Sequence, residues 1–87
     1  MKALLMNRVV NAVALPGGCL QVVLADGRSG EFDVNPYMGS DFFAQLKDED
    51  YFKKVGLFFA GVGWPAGQDL SPDTIAANLQ TTQALVN

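Results

Sequence analysis

The sequence predicts an α+β fold: a small mixed or antiparallel sheet with an N-terminal hairpin and two or three short helices packed on it. Three observations predict it. Leu20, Val22 and Leu24 alternate with Gln21 and Val23 and run into Asp26-Gly27, a dipeptide that tolerates φ > 0 and suits a tight hairpin. Two short stretches between residues 40 and 55 open on acids and close on lysines, the charge order that a helix dipole favours. Last, the apolar run Val55 to Trp64 stops at Pro65, turns at Ala66-Gly67 and leads into Ser71-Pro72-Asp73, which reads as a helix start.

Residues 8 to 15 form the first expected strand, with Val9, Asn11, Val13 and Leu15 on one side and smaller residues on the other. Pro16-Gly17-Gly18 is a turn by composition. The strand returning from Asp26-Gly27 puts Arg28, Gly30, Phe32 and Val34 on one face and Ser29, Glu31 and Asp33 on the other. Asn35-Pro36-Tyr37 breaks it, because a residue before proline is pushed out of the helical region. Ser40 or Asp41 then caps a helix over Phe42 to Lys47, with Phe42, Phe43 and Leu46 on one side. Asp48-Glu49-Asp50 opens a second turn whose apolar side is Tyr51, Phe52 and Val55.

Val55 to Trp64 holds three glycines, so it reads either as one strand buried on both faces or as two short strands bent at Gly61. Trp64 is expected to close one end of the core. The last helix runs from Pro72 to about Leu79, and the tail 80–87 is expected to fray. The chain thus reads as a single domain over 1–87 with its core at about 8–79.

Composition narrows the function classes. A small domain buries only part of its surface, so an apolar content of 49% in 87 residues leaves hydrocarbon for a partner; the expectation is a homodimer. Phe58-Phe59 supports it, since neighbouring strand residues face opposite ways and one ring then needs a cover outside the core. Net charge is −3 and the six basic residues are scattered, which makes nucleic acid an unlikely partner. A basic surface would need a dimer that gathers Arg8, Arg28 and Lys53.

There is no histidine and one cysteine, Cys19, so neither a zinc site of Cys and His nor a His-activated nucleophile can be assembled. No cofactor and no metal is expected. The N-terminal apolar run ends at Asn7-Arg8, and Val9 to Ala25 is broken by Pro16-Gly17-Gly18, so neither a signal peptide nor a membrane span is expected. The single thiol suits a reducing compartment, and the expected location is cytoplasmic.

The candidate binding residues are Asp33, Tyr37, Trp64 and Asp69, all beside turns. Were the sheet to bring the Asp33 turn next to the Trp64 turn, a carboxylate pair would hold a hard cation or work as acid and base. The competing reading is architectural: Asp33 and Asp69 accept hydrogen bonds within their own loops, and Tyr37 and Trp64 belong to the core. The candidate interface residues are Phe58 and Phe59.

Three pieces set together carry a resemblance: Phe32-Asp33-Val34-Asn35-Pro36-Tyr37; Phe43-Ala44-Gln45-Leu46-Lys47-Asp48 leading to Tyr51-Phe52-Lys53-Lys54-Val55; and Trp64-Pro65-Ala66-Gly67-Gln68-Asp69-Leu70. In order and spacing they resemble a small bacterial family catalogued as domain of unknown function 2442, over about residues 8 to 79. The family pattern resembles Trp-Pro-Asn-Gly-Ala-Asp-Leu, from which this chain departs at Ala66 and Gln68. The resemblance implies an α+β fold and companionship with other small proteins, as in toxin–antitoxin pairs. It implies no reaction. The expected function is a non-enzymatic interaction domain that dimerises and binds or regulates a partner protein, with a small-molecule or cation binder at the Trp64 turn as the alternative.

Overall fold

The structure, a computed structural model, describes residues 7–81. Strands β1 (Val9–Leu15), β2 (Cys19–Leu24), β3 (Ser29–Asp33), β4 (Gly56–Phe58), β5 (Gly61–Gly63), β6 (Asp69–Leu70) and β7 (Gln80–Thr81) form two antiparallel sheets. Their orders are β1-β2-β3-β7 and β4-β5-β6. Helices α1 (Asp41–Ala44), α2 (Glu49–Phe52) and α3 (Pro72–Ala77) are short, and 3-10 turns cover Asn35–Tyr37 and Gln45–Lys47. The α+β expectation is met.

The β2–β3 hairpin has the predicted facing. Leu20, Val22, Leu24, Phe32 and Val34 are buried, while Glu31 and Asp33 point to solvent. Each large side chain removed from water in this way contributes about 1.5–3 kcal/mol before entropy is counted. Leu24 donates its N–H to the Arg28 carbonyl at 2.8 Å and Gly27 donates to the Leu24 carbonyl at 3.0 Å, so Gly27, at φ +97°, closes a three-residue turn. The Asp26 carboxylate accepts from the Arg28 N–H at 3.0 Å, which with the guanidinium beside it holds that carboxyl below its usual range.

β1 departs from the predicted alternation. Its register shifts between Val9 and Asn11, so Val10 is an extra residue with no partner on β2. A one-residue insertion exchanges the two faces of everything after it. Val9 therefore enters the core, but beyond the bulge Ala12 and Ala14 pack inward and Asn11 and Val13 face out.

The helical segment is built from caps more than from length. Ser40 accepts from the Phe43 N–H, and Asp48 accepts from the Asp50 and Tyr51 N–H groups. The helix expected over Phe42 to Lys47 is α1 followed by a 3-10 turn, and only Leu46 and Phe52 of the segment are fully buried. Phe42, predicted for the packed side, is half exposed. Ser71 caps α3 by accepting from the Thr74 N–H at 3.1 Å, with Pro72 at the first position as predicted. The helix ends at Ala77, two residues short of Leu79, and Gln80–Thr81 pair with β3 where fraying was expected. The remainder of that tail lies outside the described residues.

Candidate functional site

Val55 to Trp64 is not a doubly buried strand; the reading as two short strands is met, with the bend at Phe59-Ala60 and not at Gly61. The run is the β4–β5 hairpin, with Phe58 opposite Gly61 and a two-residue turn at Phe59-Ala60. Gly61 must be glycine for another reason: a Cβ there would strike the Leu70 carbonyl oxygen, with Pro72 N and Ser71 C each 3.1 Å away. The chain leaving β6 thus passes directly over the hairpin.

Phe59 has φ +47° and Ala60 φ +69°. Two positive φ angles are what a type I′ turn demands, and such turns favour Asn-Gly because an L side chain costs about 1–2 kcal/mol in the left-handed region. Here the turn carries phenylalanine and alanine. Phe59 is 84% exposed, and Leu57 and Phe58 are exposed beside it. Because Phe59 lies in the turn and not in a strand, it does not oppose Phe58; the two rings sit 4.5 Å apart and tilted by 48°. The Val9 N–H donates to the Ala60 carbonyl at 2.8 Å, which fixes the hairpin tip against the start of β1 and its exposed bulge residue Val10. From Val55 to Gln68 the chain has no charged residue, so the tip is apolar and electrically neutral.

The four candidate binding residues are not brought into one site. Trp64 is buried, its ring 5.6 Å from that of Phe52 and its Nε1–H donating to the Phe52 carbonyl at 2.9 Å. It closes the core as expected. Tyr37 is half-buried and stacks on Phe32 at 5.7 Å. Asp33, at the end of β3, accepts from the Asn35 backbone N–H at 3.0 Å and from its side-chain Nδ2 at 2.8 Å. Asp69 lies in the other sheet, on β6, paired with Gly63. Among the described residues no three of His, Cys, Asp and Glu converge.

A cleft of about 360 Å³ opens elsewhere, between the β1–β2 turn and the helical segment. None of Asp33, Tyr37, Trp64 and Asp69 lines it. Lys53 stands there, at the far end of β1 from Arg8, so one chain does not gather Arg8, Arg28 and Lys53 on a common surface. Arg28 is engaged by Asp26 and by Asn7 Oδ1 at 2.8 Å.

The family model described as protein of unknown function (DUF2442) matches residues 9–81. The chain belongs to the DUF2442 family. The matched span begins on the first residue of β1 and ends on the last of β7, so the family's unit is the two-sheet fold described above. No curated protein and no solved structure matches the chain.

Two polar devices of this DUF2442 fold were not foreseen from sequence. Gln68 is buried, and every polar atom of its amide is engaged: Tyr51 Oη–H donates to Oε1 at 2.8 Å, while Nε2 donates to the Phe42 carbonyl at 2.9 Å and to Gln45 Oε1 at 3.0 Å. The Tyr51 hydroxyl also accepts from the Ala66 N–H at 2.7 Å. The Trp64–Gln68 turn is thereby clamped to the helical segment. Asn35 is the second device, its Nδ2 donating to the Gly17 carbonyl at 2.7 Å and so tying the β1–β2 turn to the end of β3. A polar residue directly before proline was the available signal for Asn35; nothing local marked Gln68.

Cys19 is half-buried on the outward face of β2, and burial raises its pKa above the ordinary 9.0, with the Asp33 and Glu31 carboxylates adding to the effect. The thiol is therefore held protonated, the reverse of what a nucleophile needs. Among the described residues no helix is long and apolar enough to cross a membrane.

Proposed function

We propose that this DUF2442 protein is a non-enzymatic protein-interaction domain that docks through the tip of the β4–β5 hairpin, in the first place onto a second copy of itself. The carrying observation is Phe59. A bulky residue held at positive φ with 84% of its surface exposed adds backbone strain and gives up burial at once, a combination that persists where a partner repays both. Leu57, Phe58 and Val10 extend the apolar surface, and the absence of charge at the tip removes repulsion between identical copies. The cytoplasm, with its reducing thiols, suits a domain with one protonated cysteine. A ligand or cation site at the Trp64 turn draws no support from the geometry, since Asp33 is engaged by Asn35 and stands on a different sheet from Asp69.

The test is the solution mass by sedimentation across a range of concentrations. The wild-type chain is expected above its 9.3 kDa monomer mass, falling towards it on dilution. Phe59→Glu is expected to stay monomeric with an unchanged circular dichroism spectrum. A Phe59→Glu protein that still associates would refute the reading.

A further inference from the structure

The cleft has the size, the floor and the fixed walls of a small-molecule site. Its volume of about 360 Å³ falls within the roughly 300–1,000 Å³ typical of such sites. Leu15, Met38, Leu46 and Phe52 give it an apolar floor. One wall is the β1–β2 turn, held by the bond from Asn35 Nδ2 to the Gly17 carbonyl and by the Val34 N–H donating to the Gly18 carbonyl at 2.9 Å. Gly18 permits this approach, because a Cβ there would lie 2.8 Å from the Asn35 amide. The opposite wall is the helical segment, fixed by the Asp48 cap. A site whose walls are already bonded in place does not have to be ordered by its ligand.

The charge at the mouth selects the ligand. Lys47, Glu49 and Lys53 stand at the rim, two ammonium groups against one carboxylate, and among the described residues no ion pair within 4.0 Å joins them. The rim is net positive on a protein of net charge −3. An anion small enough to reach both lysines, attached to a hydrocarbon that covers the floor, satisfies both features.

We propose that this cleft binds a small carboxylate with an apolar body, the hydrocarbon lying on Leu15, Met38, Leu46 and Phe52 and the carboxylate between Lys47 and Lys53. The site stands at the opposite end of β1 from the hairpin tip and does not depend on the interaction reading.

Octanoate is the probe, titrated into the ¹⁵N-labelled full chain. Saturable amide shifts are expected at Gly17, Gly18, Leu46 and Lys53, with octan-1-ol and octylamine binding at least tenfold more weakly. The variant Lys47→Gln/Lys53→Gln alters two exposed side chains, keeps the fold, and is expected to weaken octanoate tenfold or more. Octanol binding as well as octanoate, octylamine binding better, unchanged affinity in the double variant, shifts away from the cleft, or no saturation would each overturn the proposal.

Discussion

Replacing Phe59-Ala60 by Asn-Gly separates two effects that most interface mutations confuse. A variant that both unfolds and dissociates says nothing about a surface, whereas this one removes the exposed ring and should leave the monomer more stable. At position 60, φ is +69°, so Ala60→Gly relieves about 1–2 kcal/mol of left-handed strain and returns about 0.5–1 kcal/mol through the freedom glycine gains on unfolding. At position 59, φ +47° suits asparagine, and the strain relieved, about 1 kcal/mol, is offset by loss of the Phe58–Phe59 ring contact, about 0.5–1.5 kcal/mol. At the midpoints of these ranges the sum is a gain of about 0.75 kcal/mol, which for a domain of this size raises Tm by roughly 3–6 °C. Thermal unfolding followed by circular dichroism measures it, at protein concentrations where the wild type is monomeric so that association does not contribute. A lower Tm would refute the reasoning, because it would mean that the Phe59-Ala60 turn is favourable as it stands and needs no partner to explain it. Sedimentation of the same protein should show a monomer at concentrations where the wild type associates.

Gly61→Ala is expected to cost about 3 kcal/mol or more in urea unfolding, since the new methyl meets only backbone, the Leu70 carbonyl above all, which cannot swing aside. Gly39→Ala, with nothing within 4 Å of the added carbon, should change stability by less than about 0.5 kcal/mol and serves as the control. Tyr51→Phe leaves the buried Gln68 Oε1 without its donor, so a loss of about 1–3 kcal/mol is expected; a neutral result would show that water replaces the hydroxyl. The folded Cys19 thiol keeps its proton to higher pH than the unfolded one, so above pH 9.0 the unfolded chain binds fewer protons and stability falls as pH rises. Iodoacetamide should accordingly alkylate native Cys19 more slowly than the urea-unfolded chain at pH 8.5, and the opposite order would contradict the raised pKa.

What could be read from the sequence was what short stretches decide for themselves. Asp26-Gly27 makes its turn, Asp48 and Ser71 cap their helices, and the β2–β3 facing follows from strict alternation. The failures share a cause, which is that a distant segment settles the matter. Val10 bulges beside the Ala60 carbonyl that takes the N–H of Val9, and that single insertion turns Val13 outward. Phe59-Ala60 makes a turn without the residues that announce one, so the sequence puts the bend at Gly61, the neighbouring glycine, instead. β6 and β7 are two residues each and exist only because Val62 and Gly63, or Gly30 and Glu31, lie opposite. No periodicity can register in two residues.

Position 68 shows how the turn that looked richest in sequence is tied to the rest of the fold. The pattern this chain resembles has Asn at 66 and Ala at 68, and here the amide stands at 68 instead. Moved by two residues, it points inward, where three hydrogen bonds consume its donors and acceptor and hold the α1–α2 segment to the turn. Position 66 is served by its backbone N–H, which the Tyr51 hydroxyl takes, so its side chain is dispensable to the clamp and alanine suffices. A buried amide bonded on every side also fixes the register of the segment that supplies its partners, because a shift of one residue would leave it unpaired at a cost of about 1–3 kcal/mol. The Trp64 indole N–H, the Ala66 backbone N–H and the Gln68 amide are therefore committed to architecture. Among the described residues, the strained aromatic tip at one end of β1 and the lysine-rimmed cleft at the other are the two surfaces on which the proposals rest.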